Sequence, residues 1–390
     1  MMFQLQTILV YTLLAIIMYI FAQKASLTQR ASYHIVPIIA FILVFGLRYS
    51  VGIDWENYRA IYEEELYGLS FSEMLETRYE VGFLFIIYLC HLFQLPTYML
   101  FVCLAAIQII FLYLALKEEH GILPYVYLAF ILSGIAIQGF CNVMRQDIAF
   151  CIFLYALKYV KKDKIIKYFL LCALALCFHK SAVILFPICF LWVRRNSFFS
   201  NQSIQCILFL ACVFLPFLDP VEYVLNILND LIVAVGYEDY IESALDLTTN
   251  NKIGPTRIIM IIAHLTIILN SKNIKAFYDN NMVNKIYDLY FIGICCYFLF
   301  LGNMMFGRIT LYFTNIAFIM NGYALHYLIQ QSKTVKHLAI LSIISLTLLT
   351  SYASMLYNCT KNTDAYVSYF QEELHVIKDY QRSNMFDTRP

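Results

Sequence analysis

Residues 97–116 read TYMLFVCLAAIQIIFLYLAL, twenty residues without a charged side chain. As a helix rising 1.5 Å per residue this run is roughly 30 Å long, the thickness of a bilayer's hydrocarbon core. The rest of the chain speaks for the same solvent. Of its 390 residues 61% are hydrophobic and only 14% charged, and the mean hydropathy is +0.69. That is far too little polar surface to cover a soluble globule.

Outward from this run, apolar segments recur in both directions. Before it lie Leu5 to Phe21, Ile35 to Leu47 and Val81 to Phe93. After it come Ile122 to Gln138, Asp147 to Val160, Ile165 to Phe178, Ser181 to Val193 and Ile204 to Leu218. Thr256 to Leu269, Tyr287 to Gly302, Ile309 to Tyr327 and Val335 to Leu356 complete the set. Backbone amides in lipid must be satisfied internally, so the segments predict helices. The fold class expected is an all-α polytopic integral membrane protein, a single transmembrane domain over residues 1–390 with about 12 transmembrane helices plus one or more re-entrant or interfacial helices.

The formal net charge of +1 comes with no basic stripe of the kind that binds nucleic acid, and no nucleic-acid partner is expected. The charges report orientation instead. Lys158, Lys161, Lys162, Lys164 and Lys167 crowd one loop and Arg194 and Arg195 another, which the positive-inside rule assigns to the cytoplasm. The same parity places the turn at His179 outside. It also makes external loops of residues 48–80, with eight carboxylates against three arginines, and 219–255, with seven acidic residues and one lysine, and an external tail of 357–390. Parity closes only if one early segment does not cross. Val81 to Phe93, thirteen residues interrupted by His91, is the choice. Both termini are then external, and the first helix reads as a retained span.

Several chemistries leave no trace. The twelve cysteines are scattered without CxxC spacing and read as apolar packing residues. There is no P-loop, no GxGxxG and no repeat. No metal and no cofactor are expected.

What remains are polar residues at membrane depth or its outer edge, where a charge is expensive and so a candidate for function. The first group is Arg48, Asp54 and Tyr58 in RYSVGIDWENY, residues 48–58. An arginine can hold a phosphate bidentately, and a nearby carboxylate can act as general base. Against this stands a snorkelling arginine beside a solvated acid. Asn142, Arg145 and Gln146, at i, i+3 and i+4, are expected on one face near a helix amino terminus, which favours an anion. An arginine capping its own neighbours is the structural alternative. His179, in CFHKSA, can relay a proton or simply pack. Arg308, Tyr312 and Asn315, at i, i+4 and i+7, are expected along one stripe. All four groups map to one side of the membrane, and cations gathered there suit an anionic ligand such as a diphosphate.

The run Arg48 to Tyr58, the later Glu80-Val-Gly-Phe, Asn142-Val-Met-Arg145-Gln146-Asp-Ile-Ala149, Phe178-His179-Lys-Ser181-Ala182 and Arg308 to Phe313 resemble, in order and spacing, the motifs of the EpsG family of Wzy-like bacterial polysaccharide polymerases. The likeness extends over roughly residues 35 to 330. One departure is Asp147, where a small residue is expected after the Arg-Gln pair. The resemblance implies a metal-independent glycosyltransferase of the bacterial inner membrane, acting at the outer leaflet. Its substrate would be undecaprenyl-diphosphate-linked oligosaccharide, built into O-antigen, capsule or exopolysaccharide, with a chain-length regulator and a flippase as further partners. On that footing Arg145 and Arg308 are expected to hold the diphosphate with Arg48 supporting, and Asn142, Gln146, Tyr58 and Tyr312 to line the substrate. Asp54 or His179 would be the general base. A lipid-linked oligosaccharide flippase and a membrane O-acyltransferase are the alternatives. No paired broken helices of the transporter kind are evident.

Overall fold

The computed structural model of the chain describes residues 2–119, 121–161, 163–192, 199–218, 254–301, 304–331, 334–361 and 365–387. The loop expected over 219–255 and the pair Arg194 and Arg195 therefore lie almost wholly outside the described residues. The described secondary structure is helical, with one isolated antiparallel bridge between Arg48 and Ser368.

In chain order the α-helices are α1 (Met2–Thr28), α2 (Ile35–Gly46), α3 (Trp55–Ala60), α4 (Phe71–Leu75), α5 (Val81–Leu92), α6 (Thr97–Leu116), α7 (Leu123–Leu132), α8 (Ile135–Gln138), α9 (Met144–Ala156), α10 (Ile165–Leu176) and α11 (Gln202–Phe214). They continue as α12 (Pro255–Tyr278), α13 (Asn281–Leu299), α14 (Met304–Thr314), α15 (Ile316–Gln330), α16 (Val335–Lys361) and α17 (Glu372–Asp387). Among the described residues five helices are long and apolar enough to cross a membrane: Phe3–Thr28, Thr97–Leu116, Pro255–Tyr278, Asn281–Leu299 and Val335–Cys359. Six more apolar helices are shorter. The expected dozen crossings included runs such as Ile165 to Phe178; its α-helix, Ile165–Leu176, has 12 residues and reaches about 18 Å. The outward leucines and isoleucines of α1, among them Leu5, Leu9, Leu13, Ile16 and Ile20, are all more than 45% exposed. That is what a lipid-facing helix shows.

Two expected segments take a different form. The segment expected from Ser181 to Val193 is a 3₁₀ helix over Lys180–Trp192, with Pro187 inside it. Ile309 to Tyr327 is divided at Asn315 between α14 and α15. There α13 crosses so closely that a Cβ on Gly293 would lie 2.2 Å from the carbonyl oxygen of Phe313, so only glycine permits the crossing.

The chain divides into two compact units, Met1–Val193 with Leu348–Pro390, and Arg194–Thr347. In the second unit α13 packs against α11, α12, α14 and α15, and buries His264, whose Nδ1 is 2.8 Å from the Tyr290 hydroxyl. In the first, α6 packs chiefly against α2 and α9, and α1 against α2 and α7. Helix α9 is its innermost element, with every residue buried except Arg145 and Tyr155. A helix apolar on all sides belongs at a core. The polar first turn of α9, Arg145 to Asp147, is thereby carried into the interior.

Candidate functional site

The site grows from the chain on either side of α9. Its amino end is not helical at Asn142, which lies in the turn before the helix begins at Met144. Asn142, Arg145 and Gln146 therefore do not share a helical face as their spacing predicted. The Asn142 side chain turns to the loop after α2 instead, and its Oδ1 accepts a hydrogen bond from the Ile53 amide at 2.6 Å. Gly52 makes this docking possible. It has φ +98°, and a Cβ there would sit 2.7 Å from the same oxygen.

Arg48 seals that junction. It is 1% exposed, and its guanidinium donates to the carbonyls of Val51 at 3.1 Å, Cys141 at 3.0 Å and Phe45. Met144 Sδ lies 3.2 Å away and the Phe101 ring lies beneath. With its donors committed to main-chain carbonyls, Arg48 joins the loop to the start of α9 and does not present a cation to a ligand. This corrects the expectation of direct contact. On the other side, the Tyr49 amide donates to the Val367 carbonyl at 2.8 Å and the Tyr369 amide to Leu47 at 2.7 Å. Tyr49 stacks on His375 at 3.5 Å and donates to Asp379 at 2.9 Å. Burial, then the bond to Asp379, raises the Tyr49 phenol well above its usual value, so it stays a neutral donor.

Tyr58 reaches Arg145 itself, its hydroxyl oxygen accepting from the Arg145 amide at 3.4 Å. Burial raises its phenol above the ordinary value, although the Arg145 charge opposes this. Asp54 stands half-buried at the start of α3, close enough to Tyr58 for its charge to add to that rise.

The Arg145 guanidinium is 24% exposed and pairs with Glu80, itself 9% exposed, Nη1 to Oε2 at 2.5 Å. The rings of Tyr79 and Phe83 lie 5.5 and 5.1 Å from it. Its Nε is buried and makes no hydrogen bond. Unlike Arg48, this cation retains donor capacity and an opening to solvent.

Glu80 carries the connection further. Its Oε1 accepts from the Lys180 amide at 3.1 Å, and the Gly82 amide donates to the Cys177 carbonyl at 2.7 Å. The start of α5 is thus fastened to the turn holding His179. Gln146, 1% exposed, reaches the same turn independently, its Nε2 donating to Ser181 Oγ at 3.3 Å. His179 Nδ1 lies 2.7 Å from that Oγ. Three of the four expected groups, around Arg48 and Asp54, Asn142 to Gln146, and His179, therefore form one connected cluster. Arg308 and Tyr312 belong to the second unit, Arg308 exposed, Tyr312 fully buried and Asn315 at the head of α15, so their stripe turns from surface to interior. Among the described residues no three His, Cys, Asp or Glu side chains are grouped to hold a metal ion.

Glu80, Tyr79 and Ser181 were not singled out from the sequence. Glu80 and Ser181 stood within motifs that carried the resemblance, and an acid directly before an apolar helix in a loop rich in arginine and glutamate was the available signal. Comparison with curated proteins and with solved structures finds no match. The model of the EpsG family matches residues 31–371, which takes in every motif of the cluster, and the chain belongs to this family, associated with Wzy-type polysaccharide polymerases.

Proposed function

We propose that the chain is a polysaccharide polymerase that transfers a glycan from a lipid diphosphate carrier, undecaprenyl diphosphate, to a hydroxyl of an incoming lipid-linked repeat unit at the outer face of the bacterial inner membrane. The observation that carries the reading is Arg145, a partly exposed guanidinium with spare donors at the point where the motif groups meet. A glycosyl diphosphate departs as an anion, and preorganised cations in a water-poor site stabilise the charge that develops. In the reaction the bond from the sugar C1 to the diphosphate oxygen breaks and a bond from C1 to the acceptor oxygen forms. The acceptor's proton passes to Asp54 or His179, and the diphosphate leaves with the electron pair, held by Arg145. Arg48 and Asn142 act one step back by fixing the loop that bears Asp54. Glu80 keeps Arg145 aimed while the site is empty.

The test is the polymer ladder of cells in which the chain is deleted and then restored. A single repeat unit on deletion, a full ladder with wild type, and no ladder with Arg145→Ala at equal membrane abundance support the proposal. A full ladder in the deletion strain, or loss of even the single-unit product, overturns it. Loss of the ladder with Arg308→Ala would bring that arginine into ligand binding as well.

A further inference from the structure

The Glu80 carboxylate bridges two donors that come from different parts of the chain. Its Oε2 accepts from Arg145 Nη1 at 2.5 Å and its Oε1 from the main-chain amide of Lys180 at 3.1 Å. Each donor is held in place without help from Glu80. The turn bearing Lys180 is tied to the head of α5 by the Gly82 amide on the Cys177 carbonyl at 2.7 Å, an approach so close that a Cβ on Gly82 would lie 2.8 Å from that oxygen. It is closed on itself by the Ala182 amide on the His179 carbonyl at 3.0 Å. The first turn of α9 fixes Arg145, whose amide donates to the Tyr58 hydroxyl at 3.4 Å and whose guanidinium lies against the Tyr79 and Phe83 rings. The carboxylate, by contrast, hangs from extended backbone just before α5, φ −77° and ψ 141°, and caps no amide of its own helix. The Arg145 side chain is 24% exposed and Lys180 is exposed, so the pair of donors opens to solvent.

Two fixed donors converging on the two oxygens of one carboxylate make an anion cradle. A phosphate offers a similar pair of acceptor oxygens on one central atom, and arginine engages both kinds of anion in the same way. We infer that Arg145 Nη1 and the Lys180 amide form a two-point site for one phosphate of the donor diphosphate, and that Glu80 is the internal anion that fills it until the substrate displaces it. The inference rests on the polymerase reading and deepens it, because a main-chain amide joins the arginine as a donor aimed at the leaving group. Such an amide is already oriented and does not reorganise as negative charge develops. Glu80 in turn keeps the guanidinium from standing unpaired in a water-poor site, where an isolated charge is costly. No covalent bond changes in the exchange; one anion replaces another on the same donors.

The full-length chain in detergent is titrated with inorganic pyrophosphate. Glu80→Gln removes the competing charge and is expected to bind pyrophosphate about tenfold more tightly than wild type, the worth of one hydrogen bond to a charged group. In an Arg145→Gln background the same change gives no tightening. Lys180→Pro removes the amide hydrogen and weakens binding about tenfold, whereas Lys180→Ala keeps the amide and stays within about threefold of wild type. Weaker or unchanged binding by Glu80→Gln, or equal weakening by Lys180→Pro and Lys180→Ala, overturns the inference. Binding of glucuronate without binding of pyrophosphate also overturns it, since the cradle would then take a sugar acid. If Glu80→Gln or Lys180→Pro fails to accumulate, ¹⁵N-lysine NMR of wild type reads the amide directly, its resonance identified by its loss in Lys180→Ala. A shift on adding pyrophosphate that is absent in Arg145→Gln sustains the inference, and a resonance that does not move defeats it. A polymer ladder that survives deletion of the chain strikes the polymerase reading alone, and the pyrophosphate series still decides the cradle.

Discussion

Arg48 and Arg145 stand at the two ends of one junction and do opposite things. Arg48 is 1% exposed and surrounded by the carbonyls of Phe45, Val51 and Cys141. Arg145 is 24% exposed, has one carboxylate partner and keeps an Nε without a hydrogen bond. The sequence offers the same residue type in both places, each directly beside an apolar segment. An arginine satisfied by main-chain carbonyls holds the fold, whereas one paired with a single displaceable acid can exchange that partner for a ligand.

This contrast predicts that the first arginine is read out in stability and the second in activity. Arg48→Met leaves three carbonyls and a junction without their donor. It is expected to cost about 3–5 kcal/mol, the penalty for breaking a buried charged network, seen as a large fall in the melting temperature of the detergent-solubilised chain. Arg145→Gln is expected to leave that temperature near wild type while lowering polymerisation by roughly 10²–10³-fold, the usual consequence of removing a group that stabilises developing negative charge. Equal loss of stability in both variants would erase the distinction. Gly52→Ala strains the loop at φ +98° against Asn142 Oδ1 and should cost about 1–3 kcal/mol; Asn142→Ala in the same background should relieve part of it, which a double-mutant cycle of melting temperatures measures. The smallest effect is expected from Tyr49→Phe, which removes only the half-exposed bond to Asp379. A cost of about 1 kcal/mol or less, with the ladder intact, would show that the carboxyl-terminal segment supports the loop mainly through its backbone pairing.

Much of the site was legible because a charge at membrane depth is conspicuous. Arg145, Gln146 and His179 stand out from their apolar surroundings for that reason, and the structure joins them through Ser181 and Glu80. Their expected geometry was less legible. Spacing of i, i+3 and i+4 places residues on one face only if the helix has already begun, and α9 begins after Asn142. Glu80 could be noticed as an acid before an apolar helix, but its partner could not, because Arg145 lies 65 positions away and no periodicity reports a contact at that distance. The number of crossings was less legible for a related reason: five of the described helices are long and apolar enough to span, and the rest are shorter. Run length says that a segment avoids water, but a short run can satisfy this inside the protein as well as across a bilayer.

By itself the amino-acid sequence determined the solvent, the helical class and the family. Transfer free energies add residue by residue along a chain, internal satisfaction of the backbone in lipid leaves few alternatives, and motif order survives without coordinates. Only the tertiary structure decided which arginine is consumed by the fold and which acid faces Arg145. Each of these depends on a partner delivered from a distant part of the chain, Cys141 to Arg48 across 93 positions and Glu80 to Arg145 across 65, and that is settled by packing rather than by composition.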